Sequence, residues 1–187
     1  MKVKDIIKTT AVYLNRLDVS EYLESKIQDD DQNILGEINL LKKLTNFILN
    51  ELATDYIPMV ASQDFNSIDG KIMFTNFEKT PLHVKNVYNQ KGEKIDYSQF
   101  AEYLLTKNGK VFIEYNFLPP EYDLEDDVGY SAKDVSPRII AYGVACEYSL
   151  IKEKFEESVM WNTRFKDSLR SLMQPKKVKI KGRNWLA

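Results

Sequence analysis

The sequence predicts an α+β protein: a helical bundle of about four helices with a β-rich insertion between the N-terminal and C-terminal helix pairs, plus an extended C-terminal arm. Three observations predict it. Apolar residues recur at helical spacing near both ends of the chain, they alternate with polar residues through the middle, and beyond Pro175 lysines alternate with aliphatic residues. Residues 1–54 and 135–174 would form the bundle, 55–134 the inserted module with its acidic loop, and 175–187 the arm.

The first helix is marked by Val3, Ile6, Ile7 and the run Val12 to Leu14. A short second helix is expected to start at Ser20, a good N-cap. Asp29, Asp30 and Asp31 then place negative charge where a third helix begins, which its macrodipole favours. Along that helix Ile34, Ile38, Leu41, Phe47/Ile48 and Leu52 keep one apolar face, with Lys42, Lys43, Asn46 and Asn50 elsewhere on the wheel.

The middle reads as strands. Tyr56 to Val60 contains Pro58, which cannot donate to a ladder, so this is an edge strand. Lys71 to Phe77 alternates, and Leu82 to Tyr88 runs into the turn Asn89-Gln90-Lys91-Gly92. Tyr103 to Leu105 and Lys110 to Tyr115 flank Asn108-Gly109, which predicts a hairpin.

Helices return at Ser136-Pro137, a cap followed by proline at the first helical position. Ile139 to Ile151 is apolar almost all round, as in a helix buried on most sides. In the last helix Phe155, Val159, Phe165, Leu169 and Leu172 make the stripe expected to face the core, and Pro175 closes it.

A length of 187 residues suits one domain, or one core with an inserted module. The formal net charge of -2 argues against nucleic-acid binding by the whole surface. With a single cysteine, Cys146, no internal disulfide can form, and a reducing cytoplasm is the expected place of synthesis. No stretch is long and apolar enough for a signal core or a membrane span, so no membrane partner is expected.

Catalytic signals are sparse. His83 is the only histidine and Cys146 lies in the most apolar helix, so neither a nucleophile pair nor a zinc site is expected. The acidic loop of Glu121, Asp123, Glu125, Asp126 and Asp127 departs from the calcium-loop pattern, with Val128 where that pattern needs glycine. It is read as a solvated loop. No cofactor is expected, because the glycines never cluster into a phosphate loop. The arm carries most promise. Lys176, Lys177, Lys179, Ile180, Lys181, Arg183 and Trp185 combine strand-like alternation with residue types favoured as binding anchors.

Ser136 to Tyr148 resembles the third helix of tailed-bacteriophage head-to-tail connectors, and Phe155-Glu156-Glu157 with Met160 to Leu169 resembles their fourth. The ending Lys179 to Trp185 and the opening Met1 to Tyr13 are similar too, whereas residues 56–134 carry no matching motif. An insert between the second and third helices resembles the podophage tail tubular protein A type. The resemblance implies a non-enzymatic virion protein of the neck. It would form a ring of about twelve subunits joined by repeated heterologous contacts. That ring would bind the portal, offer a surface to the tail or nozzle protein, and extend the channel through which DNA passes without specific recognition. The C-terminal arm would reach the portal or a neighbouring subunit. Other readings are a different neck or tail-completion protein, a nucleic-acid-binding module resting on the basic arm, and a small hydrolase with an acidic site.

Overall fold

A computed structural model describes residues 1–25, 31–131 and 135–173. Helix α1 (Val3–Tyr13) leads through Asn15, at a positive φ of 56°, into α2 (Leu17–Leu23) and then α3 (Gln32–Glu51). Strands β1 (Met59–Ser67), β2 (Lys71–Met73), β3 (Pro81–Asn89), β4 (Ser98–Gln99), β5 (Tyr103–Leu105) and β6 (Gly109–Phe117) follow. Helices α4 (Pro137–Ile151) and α5 (Phe155–Met173) complete the described chain.

The described residues are thus α+β, with five helices and two small antiparallel sheets of three strands each, and the expected four-helix bundle is not formed. The physical reason lies in α2, α4 and α5. The seven-residue α2 is too short to run beside the longer helices. Helix α4 is the hub: α1, α3 and α5 all pack on it, which accounts for its burial on most sides. The α5 residues that become buried are Ser158, Trp161, Phe165 and Leu169, a narrow stripe that packs chiefly on α4. Gly143 fits this crowding. A Cβ there would stand 3.0 Å from Ile48 Cγ2 and 3.2 Å from Phe165 Cε2.

Several local signals act as the sequence suggests. Asp31 caps α3 by accepting from Asn33 N at 2.8 Å, and Ser136 caps α4 with Pro137 at its first position. Others give way. Helix α2 starts at Leu17, so Ser20 lies inside it rather than at its cap. Tyr56 and Ile57 are drawn into a widened last turn of α3, where Ile57 N donates to Leu52 O at 2.7 Å. Strand β1 therefore begins after Pro58 and runs on to Ser67.

The Asn108-Gly109 hairpin is also corrected. Strand β6 pairs with β1 and β3 in one sheet, while β5 pairs with β2 and β4 in the other. A tight two-residue turn of that kind needs positive φ at both central residues, and of the two only Gly109 has it. Thr106 N donates instead to Gly70 O at 2.7 Å, which ends β5 against the β1–β2 turn.

The sheet β1–β6–β3 turns Val111, Ile113, Tyr115 and Phe117 inward with Val84 and Val87. Phe77 seals that face, its ring 4.5 Å from Phe65 and 4.8 Å from Tyr115. The acidic loop is exposed yet paired. Asp127 meets the Met1 amino group at 2.7 Å, Glu125 takes Lys2 and Lys4, and Asp123 takes Lys42. Backbone bonds from Val3 N to Asp126 O and from Val128 N to Met1 O bind the loop to the start of α1.

Asn46, placed off the apolar face by its polarity, is buried and ties the same loop to α3. Its side chain accepts from Tyr122 N at 2.8 Å and donates to Tyr122 O at 2.9 Å. Asn46→Ala strands both buried backbone groups. We expect a loss of about 1–3 kcal/mol in urea unfolding, with an unchanged denaturant slope.

Candidate assembly surface

Chain reversal between α4 and α5 builds the surface. Glu153 takes a left-handed conformation with φ 59°, and Lys154 N donates to Ser149 O at 2.8 Å. Reversal presents Leu150 and Ile151 from the end of α4 beside Phe155, Val159 and Met160 from the start of α5. All five are exposed, Phe155 at 62% and Val159 at 67%. Phe155 and Val159 are four residues apart on a helix, so their side chains form one ridge. The expected stripe along α5 is corrected here. Phe165 and Leu169 face the core, but Phe155, Val159 and Leu172 do not. Trp161, which that stripe omitted, takes the buried position.

Charges rim the ridge. Lys154 pairs with Glu157 at 3.3 Å, and Lys152 with Glu37 at 2.7 Å. An apolar patch with a polar rim is the usual make-up of a protein-binding surface. Burial pushes the Glu37 carboxyl up, but the hydrogen bond from Lys152 and the nearby Arg16 guanidinium outweigh it and hold it below the usual range. Arg16 also donates to Tyr148 OH at 3.2 Å and clasps Asp18. The turn is thereby tied to α2 and α3, and the ridge sits on a fixed base.

Behind the ridge, Tyr13, Tyr142 and Trp161 stack with centroids 5.3–5.8 Å apart, joining α1, α4 and α5. Arg164 lies over the Trp161 ring at 5.1 Å. Arg138 donates to Tyr142 OH at 2.9 Å and holds that hydroxyl below its ordinary pKa. A groove of about 570 Å³ opens between the start of α4 and the end of α5, lined by Ser136, Arg138, Asp167 and Ser171.

The arm residues singled out in the sequence, Lys176, Lys177, Lys179, Ile180, Lys181, Arg183 and Trp185, lie outside the described residues. His83 is exposed on β3, opposite Asn116. Cys146 is half-buried with its Sγ 3.5 Å from Ser158 Oγ, and burial pushes its thiol up, away from the reactive thiolate. Among the described residues no three His, Cys, Asp or Glu side chains gather as a metal-binding group. Likewise no described helix is long and apolar enough to cross a membrane. Compared with known proteins, the sequence matches no family model and no curated protein.

Proposed function

We propose that this chain is a structural subunit of a tailed-phage virion, closing into a ring between portal and tail and working by binding alone. The carrying observation is the exposed ridge of Phe155 and Val159 on a braced helical hairpin. Side chains of this size in water lose roughly 1.5–3 kcal/mol each relative to burial, which a neighbouring copy would recover. Repetition of one such heterologous contact around an axis closes a ring. The resemblance of the terminal helices and arm to phage connectors supplies the neighbours: about twelve like copies, the portal, and the tail or nozzle protein. Its place would be the virion neck, where the ring extends the DNA channel.

The arm is assigned the portal contact, or that to a neighbouring subunit. Every buried core residue of the described chain falls between Val3 and Leu169. A chain ending at Pro175 should therefore keep its unfolding midpoint and lose portal capture in a pull-down. In the full-length chain Trp185→Ala should weaken capture by about 2 kcal/mol or more, and Lys177→Ala by less than about 1 kcal/mol. Undiminished capture by the shortened chain would sink the assignment.

A further inference from the structure

The outer face of the β1–β6–β3 sheet is used neither by the core nor by the assembly ridge. Antiparallel register sets its residues in rows. Asp64, Phe112 and Tyr88 lie side by side across the three strands, and Ser62, Glu114 and Asn86 form the next row. Asp64, Phe112, Tyr88 and Glu114 from these rows floor a cleft of about 990 Å³, which Asn66, Asn89 and Lys110 help to line. That volume is at the upper end of the roughly 300–1,000 Å³ typical of small-ligand sites.

The floor is pre-set. Glu114 Oε2 accepts from Asn86 Nδ2 at 2.9 Å and from Tyr88 OH at 3.3 Å, which pins the tyrosine ring beside Phe112. The two ring centroids are 6.2 Å apart and tilted by 45°, so the pair forms a shallow aromatic trough rather than a closed stack. Glu114 itself lines the cleft, so its carboxylate brings acceptors to the floor.

We propose that this cleft binds an oligosaccharide. A sugar has an apolar C–H face that lies on an aromatic ring, and hydroxyls that donate and accept at once. The cleft offers both halves of that match: Phe112 and Tyr88 as platform, Asp64 and Glu114 as acceptors, Lys110 and the Asn66 amide as donors. A basic peptide would pair with Asp64 and Glu114 but set its charges against Lys110, whereas a neutral ligand that both donates and accepts suits all three. A nucleic acid would meet the carboxylates of Asp64 and Glu114. The cleft would take more than one sugar ring, given its length across three strands.

Calorimetric titration of the full-length protein with hexasaccharides of glucose, galactose and N-acetylglucosamine tests this. At least one of the three should bind, and Phe112→Ala should weaken it about tenfold. Phe112→Tyr should restore binding, and Phe100→Ala, an exposed ring beside Tyr103 in the other sheet, should leave it unchanged. Phe112 and Asp64 are exposed, so Asp64→Asn serves as a second probe of the cleft if Phe112→Ala disturbs folding. Failure of all three sugars to bind would overturn the proposal. So would equal losses in Phe112→Ala and Phe100→Ala, or occupation of the cleft by a peptide of residues 175–187 in place of sugar. Ring assembly is read separately by sedimentation, so either idea can fail alone.

Discussion

Phe155→Asp combined with Val159→Asp should abolish self-assembly while leaving the fold intact. Both side chains project into water in the isolated chain, so the double variant removes no core contact. Exposed substitutions of this kind shift stability by about 0.5 kcal/mol or less. At an interface the outcome is different. Two apolar anchors worth roughly 1.5–3 kcal/mol each are lost, and two carboxylates must be desolvated without partners. The contact should weaken by more than about a hundredfold. Sedimentation velocity then gives a monomer at concentrations where the native chain assembles, and thermal unfolding stays unchanged. Assembly equal to that of the native chain would exclude the ridge as the contact.

The second large effect is on stability. Trp161→Ala removes the ring that α5 lays against Tyr13 and Tyr142, and it is only 7% exposed. Large-to-small changes at such sites remove about 3–5 kcal/mol, and the stacked geometry adds about 0.5–1.5 kcal/mol beyond area burial. Arg164 also loses the face it covers. For a chain of this size each kilocalorie moves the midpoint by about 2–4 °C, so a fall of about 10 °C is expected in calorimetry. Trp161→Phe should recover about half of the loss. A fall below about 1 kcal/mol would mean that α5 is held elsewhere.

Local chemistry was legible where one residue decides it. Asp31 and Ser136 satisfy orphan N–H groups at helix starts, and both caps form. The aliphatic face of α3 is buried at Ile34, Ile38, Leu41, Ile48 and Leu52. What stayed hidden depends on partners distant in sequence. Phe47 and Ile48 fit the helical period equally well, yet only Ile48 meets Gly143. The five apolar residues read along α5 include two that complete the core and three that do not, because a helix pattern cannot say how wide its neighbour is. Asn46 looked like a solvent residue until the 118–131 connection folded back onto it. The Asn108-Gly109 step looked like a hairpin because its flanking runs are strand-like, but their partners are β1, β2, β3 and β4 rather than each other.

The candidate surfaces were legible to different degrees. Phe155 and Val159 were visible as apolar, and their exposure needed the fold. The row Asp64, Phe112, Tyr88 could not be assembled from sequence, since it draws one residue from each of three strands. No spacing along the chain encodes that neighbourhood.

For the proposed connector role, single-particle imaging of the protein mixed with a candidate portal protein is the most direct measurement. A closed ring stacked coaxially on the portal, with Phe155 and Val159 buried between adjacent copies, is the predicted result. A protein that stays monomeric and off the portal, or a ring in which those two side chains face solvent, would contradict it.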